Sequence, residues 1–273
     1  MTTRDILDRY VAQVLPRKAP ATTSAQARQC EWWTARIGDV PLDELTRSAI
    51  IEARDDLAQA TGPATANRYL AVLRHALGVA CRDWELIPRN PAAGIRALRE
   101  PRGRVRFLDD GEREHLLAEC RGELRVLVIL ALSTGGRKSE LTGLRWPDVD
   151  FDRPAVTFRD TKNGETRAVP LCGAALVELV EHGRLRRIDD DRVFRGVDVD
   201  RAFRAAVARA GIADFRFHDL RHSAASYLAM SGASLLEIAA VLGHKTLAMV
   251  KRYAHLSDGH LSDVVARMNE RIG

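Results

Sequence analysis

The run Phe217–Leu256, FHDLRHSAASYLAMSGASLLEIAAVLGHKTLAMVKRYAHL, carries His218, Arg221, His244 and Tyr253. Two imidazoles, a guanidinium and a phenol are parts of a site that moves a proton, neutralises an anion and forms a covalent bond through oxygen. His218 and Arg221 stand three apart, so a helix turns both toward one target. Each type also has a plain structural role. A tyrosine in an apolar helix fills a core or an interface, a lone arginine is solvated, and a lone histidine is structural. The three-helix pattern equally suits a helix-turn-helix that binds DNA without chemistry.

The elements that must position these groups are legible from period and punctuation. Leu220, Ala224, Tyr227 and Leu228 recur at helical spacing, which predicts a helix over 218–230. Gly232 stops it, and Ser234 with Glu237 makes a capping box for a second helix. Gly243 ends that one just before His244, and Thr246 opens a third that carries Tyr253.

Upstream, Val126–Ser133 predicts an apolar helix broken at Thr134–Gly135–Gly136, with Arg137 directly after and a helical turn over 138–144. An arginine fixed at a glycine break suits an anion contact. It suits a helix-end salt bridge with Glu140 equally well. From Ala155 the period changes to two: Val156 and Phe158, then 167–171, flank Asn163–Gly164, a two-residue hairpin signal. Lys162 projects from that hairpin tip, where a lysine either reaches into a groove or is simply solvated. Helices over 173–181 and 200–210 follow. Leu108 with Asp109 and Glu112 gives the capped start of this second domain.

The first hundred residues read as helices only: one through Ile6, Leu7, Tyr10, Val11 and Val14, one from Ser24 through Trp32, Trp33 and Ile37, one over 42–60, and one from Thr65 to Cys81. Arg68 and Arg74 on the fourth are candidates to track phosphates, or a plain solvated face. Pro88, Pro91 and Gly94 end the helical pattern. Arg96, Arg99, Arg102, Arg104 and Arg106 then make a basic linker suited to crossing a phosphate backbone.

A net charge of +5 and a pI near 9.3 permit a polyanionic partner without requiring one. Cys30, Cys81, Cys120 and Cys172 are scattered without ligand spacing, which predicts reduced thiols in a cytoplasm. The opening MTTRDILDRY lacks a signal-peptide pattern, and the longest apolar run, Val126–Leu132, is too short to span a bilayer. No phosphate-loop motif is complete at Arg137–Lys138–Ser139. His218 and His222 stand four apart like zinc ligands but lack the accompanying glutamate motif, so neither cofactor nor metal is expected.

Together the segments TGGRKSEL (134–141), TKNGETRAVPL (161–171), HDLRH (218–222), LGHKT (242–246) and Tyr253 resemble the tyrosine recombinase, or phage integrase, family in order and spacing. Tyr253 lies nine residues after His244, as the family requires. Thr65-x-Asn67-Arg68-Tyr69, Trp84 and Asn90–Pro91 resemble the family's core-binding domain more weakly.

The resemblance implies a mainly α protein with a small β-sheet (α+β). A helical core-binding (SAM-like) domain would span 1–98, a basic linker 99–106 and a catalytic domain 107–273, forming a C-shaped DNA clamp with a tail helix over 259–273. It implies Tyr253 as nucleophile, leaving a 3′-phosphotyrosyl link. His218 would be the base, Arg137, Arg221 and His244 would stabilise the phosphorane, Lys162 would be the general acid, and Glu140 would orient Arg137 or His218. Arg68, Arg74, Arg99, Arg102, Arg104 and Arg106 are the expected DNA contacts. The expected partner is duplex DNA carrying recombination sites, bound by a homotetramer that exchanges its tails and accepts accessory DNA-bending or directionality factors.

The expected setting is the cytoplasm, at the nucleoid. No arm-site module precedes the helical region, so an integrase with two kinds of site is not the expectation. A type IB topoisomerase, or a DNA-binding protein that has lost catalysis, are the competing readings. The first would act as a monomer without an exchangeable tail, and the second would lack a member of the constellation.

Overall fold

The computed structural model describes residues 1–101, 104, 106–159, 166–257, 265–266 and 268–272. The chain divides into two compact units, Met1–Gly103 and Arg104–Gly273. The division falls inside the arginine-rich stretch 99–106.

The first unit is built from α1 (Thr3–Gln13), α2 (Pro20–Ile37), α3 (Arg47–Thr61) and α4 (Pro63–Arg82). Its core joins Ile6, Leu7 and Tyr10 of α1 to Trp33 of α2, Ile50 of α3 and Leu70, Leu73 and Leu77 of α4. Two boundaries differ from the sequence expectation. α2 begins at Pro20 rather than Ser24, because a proline at the first helical position costs no hydrogen bond and presets φ. α3 begins at Arg47 rather than Leu42. Thr46 caps it, while Leu42 N–H donates to Met1 O (3.2 Å) and Pro41 bridges Thr2.

The segment after α4 is laid back on the bundle by side chains that bind backbone. Asn67 accepts from Leu98 N–H (2.8 Å) and donates to Leu98 O (2.9 Å), and Arg54 donates to Arg96 O (2.9 Å). Asn90 donates to Arg74 O (2.9 Å).

The second unit is organised on α6 (Glu123–Thr134), with Leu127, Val128, Leu130 and Ala131 fully buried. An all-round apolar helix needs cover on every side, and α5 (Asp110–Glu119), α8 (Gly173–Gly183), α9 (Val199–Arg209) and α10 (Asp219–Met230) pack around it. A three-stranded antiparallel sheet, β1 (Val149–Asp150), β2 (Ala155–Phe158) and β3 (Arg167–Pro170), pairs in that order, with Val156 opposite Val169 on the buried face. The two-residue β1 carries too little pattern to be read from sequence. The hairpin tip at 160–165, with Lys162 and Asn163–Gly164, lies outside the described residues, as does Arg102.

Two shorter helices, α7 (Lys138–Thr142) and α11 (Leu235–Leu242), stand beside these. The single helix expected from Thr246 is instead two 3-10 segments, Leu247–Met249 and Lys251–Ser257. In the tail, 265–266 and 268–272 are helical, and Val265, Met268 and Ile272 are exposed. The remainder of the expected tail helix, 259–264, 267 and 273, is outside the described residues.

Candidate active site

The site begins at the end of α6. Gly135 closes the helix in the left-handed region at φ 61°, which favours glycine. A Cβ there would lie 2.2 Å from Leu242 Cδ2, and one on Gly136 would lie 2.9 Å from Leu141 Cγ. The glycine pair therefore lets α6, α7 and α11 close on one another. Thr134 Oγ1 donates to Leu130 O (2.6 Å) and accepts from Gly136 N–H (3.2 Å), which fixes the turn.

Arg137 starts α7 from this turn. Its N–H donates to Glu140 Oε2 (2.9 Å) and its guanidinium to Glu140 Oε1 (2.5 Å). The helix-end salt bridge is therefore present, and it holds the guanidinium rigid. Glu140 also accepts from Arg167 of β3 (2.8 Å), a residue that sequence reasoning places in a strand without a function. Burial raises the Glu140 carboxyl, but the hydrogen bonds from Arg167 and Arg137 outweigh it and hold the group near 2. Arg167 lies with its guanidinium 4.6 Å from the Phe158 ring centre, and its Nε donates to Val241 O (3.1 Å).

Arg221, on the first turn of α10, is buried. It donates to Gly135 O (2.7 Å) and Leu242 O (2.6 Å), so one guanidinium ties together the ends of α6 and α11. Burial, then Arg137 and Arg167, push its pKa down, yet a guanidinium still stays protonated at neutral pH. His244 follows Gly243, which ends α11 at φ 65° against the Arg167 side chain. The His244 Nδ1 is buried, and burial with Arg221, Arg137 and Arg167 lowers the imidazole to about 4.

His218 caps α10 and is exposed. Partial burial, with Arg221 next, lowers its pKa. The phenol of Tyr253 does not rest on it. Tyr253 is buried among Ala225, Ala229, Ile238 and Leu242, and its hydroxyl is 2.5 Å from His222 Nδ1. His222 lies one residue beyond the arginine on α10, and sequence reasoning gives it no role, since its zinc-ligand spacing from His218 lacks the accompanying motif. Its signal in the sequence is the four-residue spacing from His218, which stacks the two rings edge-on at 5.3 Å.

The chain thus brings Arg137, Glu140, Arg221, His244 and Tyr253 into one electrostatic neighbourhood and adds Arg167 and His222 to it. Among the described residues no group of three or more His, Cys, Asp or Glu side chains could hold a metal ion.

The arginines expected to meet DNA divide into two sets. Arg74 donates to Ala92 O (3.3 Å) and Ile95 O (2.5 Å) within the first unit. Arg104 pairs with Asp214 and Asp219, and Arg106 with Glu112, within the second. These three are committed to protein partners. Arg68 and Arg99 are exposed and, among the described residues, make no ion pair. No helix among the described residues is long and apolar enough to cross a membrane.

Residues 106–260 match the model of the phage integrase family, and the chain belongs to that family. It is similar to the integrase of Salmonella phage P22, at 29% identity over 77% of this chain and 58% of that protein. It is similar also to tyrosine recombinase XerC of Xanthomonas axonopodis pv. citri, at 33% identity over 68% of each. Among solved structures, a lambda integrase dimer bound to a COC′ core site superposes with a TM-score of 0.79 at 23% identity, over 93% of this chain and 77% of that one. The chain spans about three-fifths of the length of most of the curated relatives it matches.

Proposed function

We propose that this chain is a site-specific DNA recombinase that cleaves and rejoins DNA strands through a 3′-phosphotyrosyl intermediate at Tyr253. The observation that carries the reading is that the Tyr253 phenol meets His222, the residue next to Arg221, and packs in one cluster with Leu242, whose carbonyl Arg221 holds, within the field of Arg137 and Arg167. A phosphate entering this field gathers negative charge on its non-bridging oxygens as the phenol oxygen attacks. Rigid guanidiniums stabilise that charge in proportion to its growth.

His244 adds a hydrogen bond to the same oxygens. Lys162, through the family resemblance, protonates the departing 5′-oxygen. Glu140 acts through the arginines, fixing Arg137 and Arg167 at once. The positive charge comes from side chains and the phosphotyrosyl bond conserves the energy of the broken one, so the reaction should run in EDTA and without ATP.

The partner is duplex DNA carrying paired sites, with exposed Arg68 and Arg99 on the backbone. Copies of the chain assemble on it, and exposed Val265, Met268 and Ile272 of the tail are offered to a neighbouring copy. The working compartment is the DNA-containing cytoplasm.

The test uses nicked duplexes with randomised cores. The chain should leave a protein–DNA adduct on a denaturing gel, and Tyr253→Phe should bind the selected duplexes without forming one. An adduct from the Phe variant would remove Tyr253 from the reaction.

A further inference from the structure

The geometry points to His222, rather than His218, as the group that takes the proton from the Tyr253 phenol and returns it on rejoining. This rests on the strand-cleavage reading above. His222, Ala225 and Ala229 share one face of α10, at spacings that put them side by side. That face packs on the 3-10 segment Lys251–Ser257, with Tyr253 wedged against Ala225 and Ala229 and its hydroxyl closed onto His222 Nδ1 at 2.5 Å. His218 lies one turn earlier and meets the His222 ring edge-on at 5.3 Å, and it is His222 whose ring nitrogen the phenol reaches.

With Nδ1 facing the phenol, a neutral His222 carries its proton on Nε2 and presents a lone pair to the O–H. The step balances. The phenolic proton passes to Nδ1 as the oxygen lone pair forms the O–P bond. The P–O5′ electron pair leaves with the 5′-oxygen, which a general acid protonates, the role that resemblance implies for Lys162. In rejoining, the imidazolium proton returns to the departing phenolate.

The groups facing His222 also make the step depend on DNA. Burial, the neighbouring His218 and the cations Arg252 and Arg221 disfavour its charged form, against one favourable carboxylate, Asp219, and leave the free protein's imidazole at about 4. Burial meanwhile raises the Tyr253 phenol, with Arg252 and Arg221 opposing. Without DNA the proton therefore stays on tyrosine. A phosphate seated by Arg221 places negative charge beside His222, offsets the two cations and strengthens the base where the nucleophile is needed.

The experiment places a fluorinated tyrosine, whose phenol is more acidic, at position 253 of the full chain. In the DNA-free protein its 19F resonance should move on His222→Gln and stay on His218→Gln. The reverse would overturn the assignment without reference to activity. On nicked duplexes with randomised cores, His222→Gln and His222→Ala should lose roughly 10²–10⁴-fold in adduct formation with ordinary tyrosine. Most of that loss should return with the fluorinated residue, whereas His244→Ala, which lacks a charge-stabilising group, should recover little. Unchanged cleavage in both His222 variants, or equal recovery in His222 and His244 variants, would remove His222 from the proton transfer. If the wild-type chain gives no adduct while the 19F contact is present, the recombinase reading fails and the proton-transfer step fails with it.

Discussion

Glu140→Gln separates charge from shape at the centre of the site. The glutamine keeps the size and one acceptor oxygen, but it leaves the Arg167 guanidinium, whose side chain is only 10% exposed, without a counter-charge. Holding the carboxyl near 2 against its ordinary 4.5 contributes about 3 kcal/mol of stability at pH 7. Because the folded-state pKa is depressed, that contribution is complete above about pH 4.5 and is lost as the pH falls through about 2. About 1 kcal/mol of it should remain at pH 3. Hydrogen exchange of α6 and β3 amides in urea reads the second unit alone within the full chain. The expected result is a variant less stable by about 3 kcal/mol at pH 7 and by about 1 kcal/mol at pH 3. A difference of equal size at both pH values would show that glutamine disturbs packing, and the electrostatic account of Glu140 would be wrong.

Three other changes probe the same architecture. Gly135→Ala forces a Cβ into Leu242 at a positive φ and should cost about 1–3 kcal/mol in thermal unfolding, while pairing it with Leu242→Ala should give less than the sum of the single effects. Arg221→Lys cannot reach both Gly135 O and Leu242 O with fixed geometry. Adduct formation should fall by orders of magnitude while filter-binding affinity falls modestly, and a retained cleavage rate would remove the arginine from the reaction. Affinity for duplex DNA should drop linearly in log K against log salt. Arg68→Ala and Arg99→Ala should each lower the slope by about one, and Arg104→Ala should leave it unchanged because that side chain is spent on Asp214 and Asp219.

What the sequence discloses here is what short range controls. The capping boxes Asp109/Glu112 and Ser234/Glu237, and the stop at Gly243, are each closed by residues within one turn, so spacing alone predicts them and the structure contains them. Arg137 and Glu140 pair at three residues' distance for the same reason. The family resemblance points to residue types suited to attack on a phosphate, which demands a nucleophile and fixed cations whatever the fold does.

Long-range placement is where period and spacing run out. Residues 42–46 have helical composition, but Met1 and Thr2, from the far end of α1, draw the backbone away. Arg167 looks like the first residue of a strand. Its place in the site follows from Glu140 lying opposite it across 27 residues of chain and from Phe158 beneath its guanidinium. Arg104 and Arg106 look like a phosphate track until the carboxylates of Asp214, Asp219 and Glu112 fold onto them. His218 and His222 differ in sequence only by one helical turn, and both are chemically able to deprotonate a phenol. Which of them meets it is set by the face of α10 that the Lys251–Ser257 segment covers, a choice made by Ala225 and Ala229 leaving room for a tyrosine ring. The acceptor is therefore fixed by two alanines, residues with no chemistry of their own.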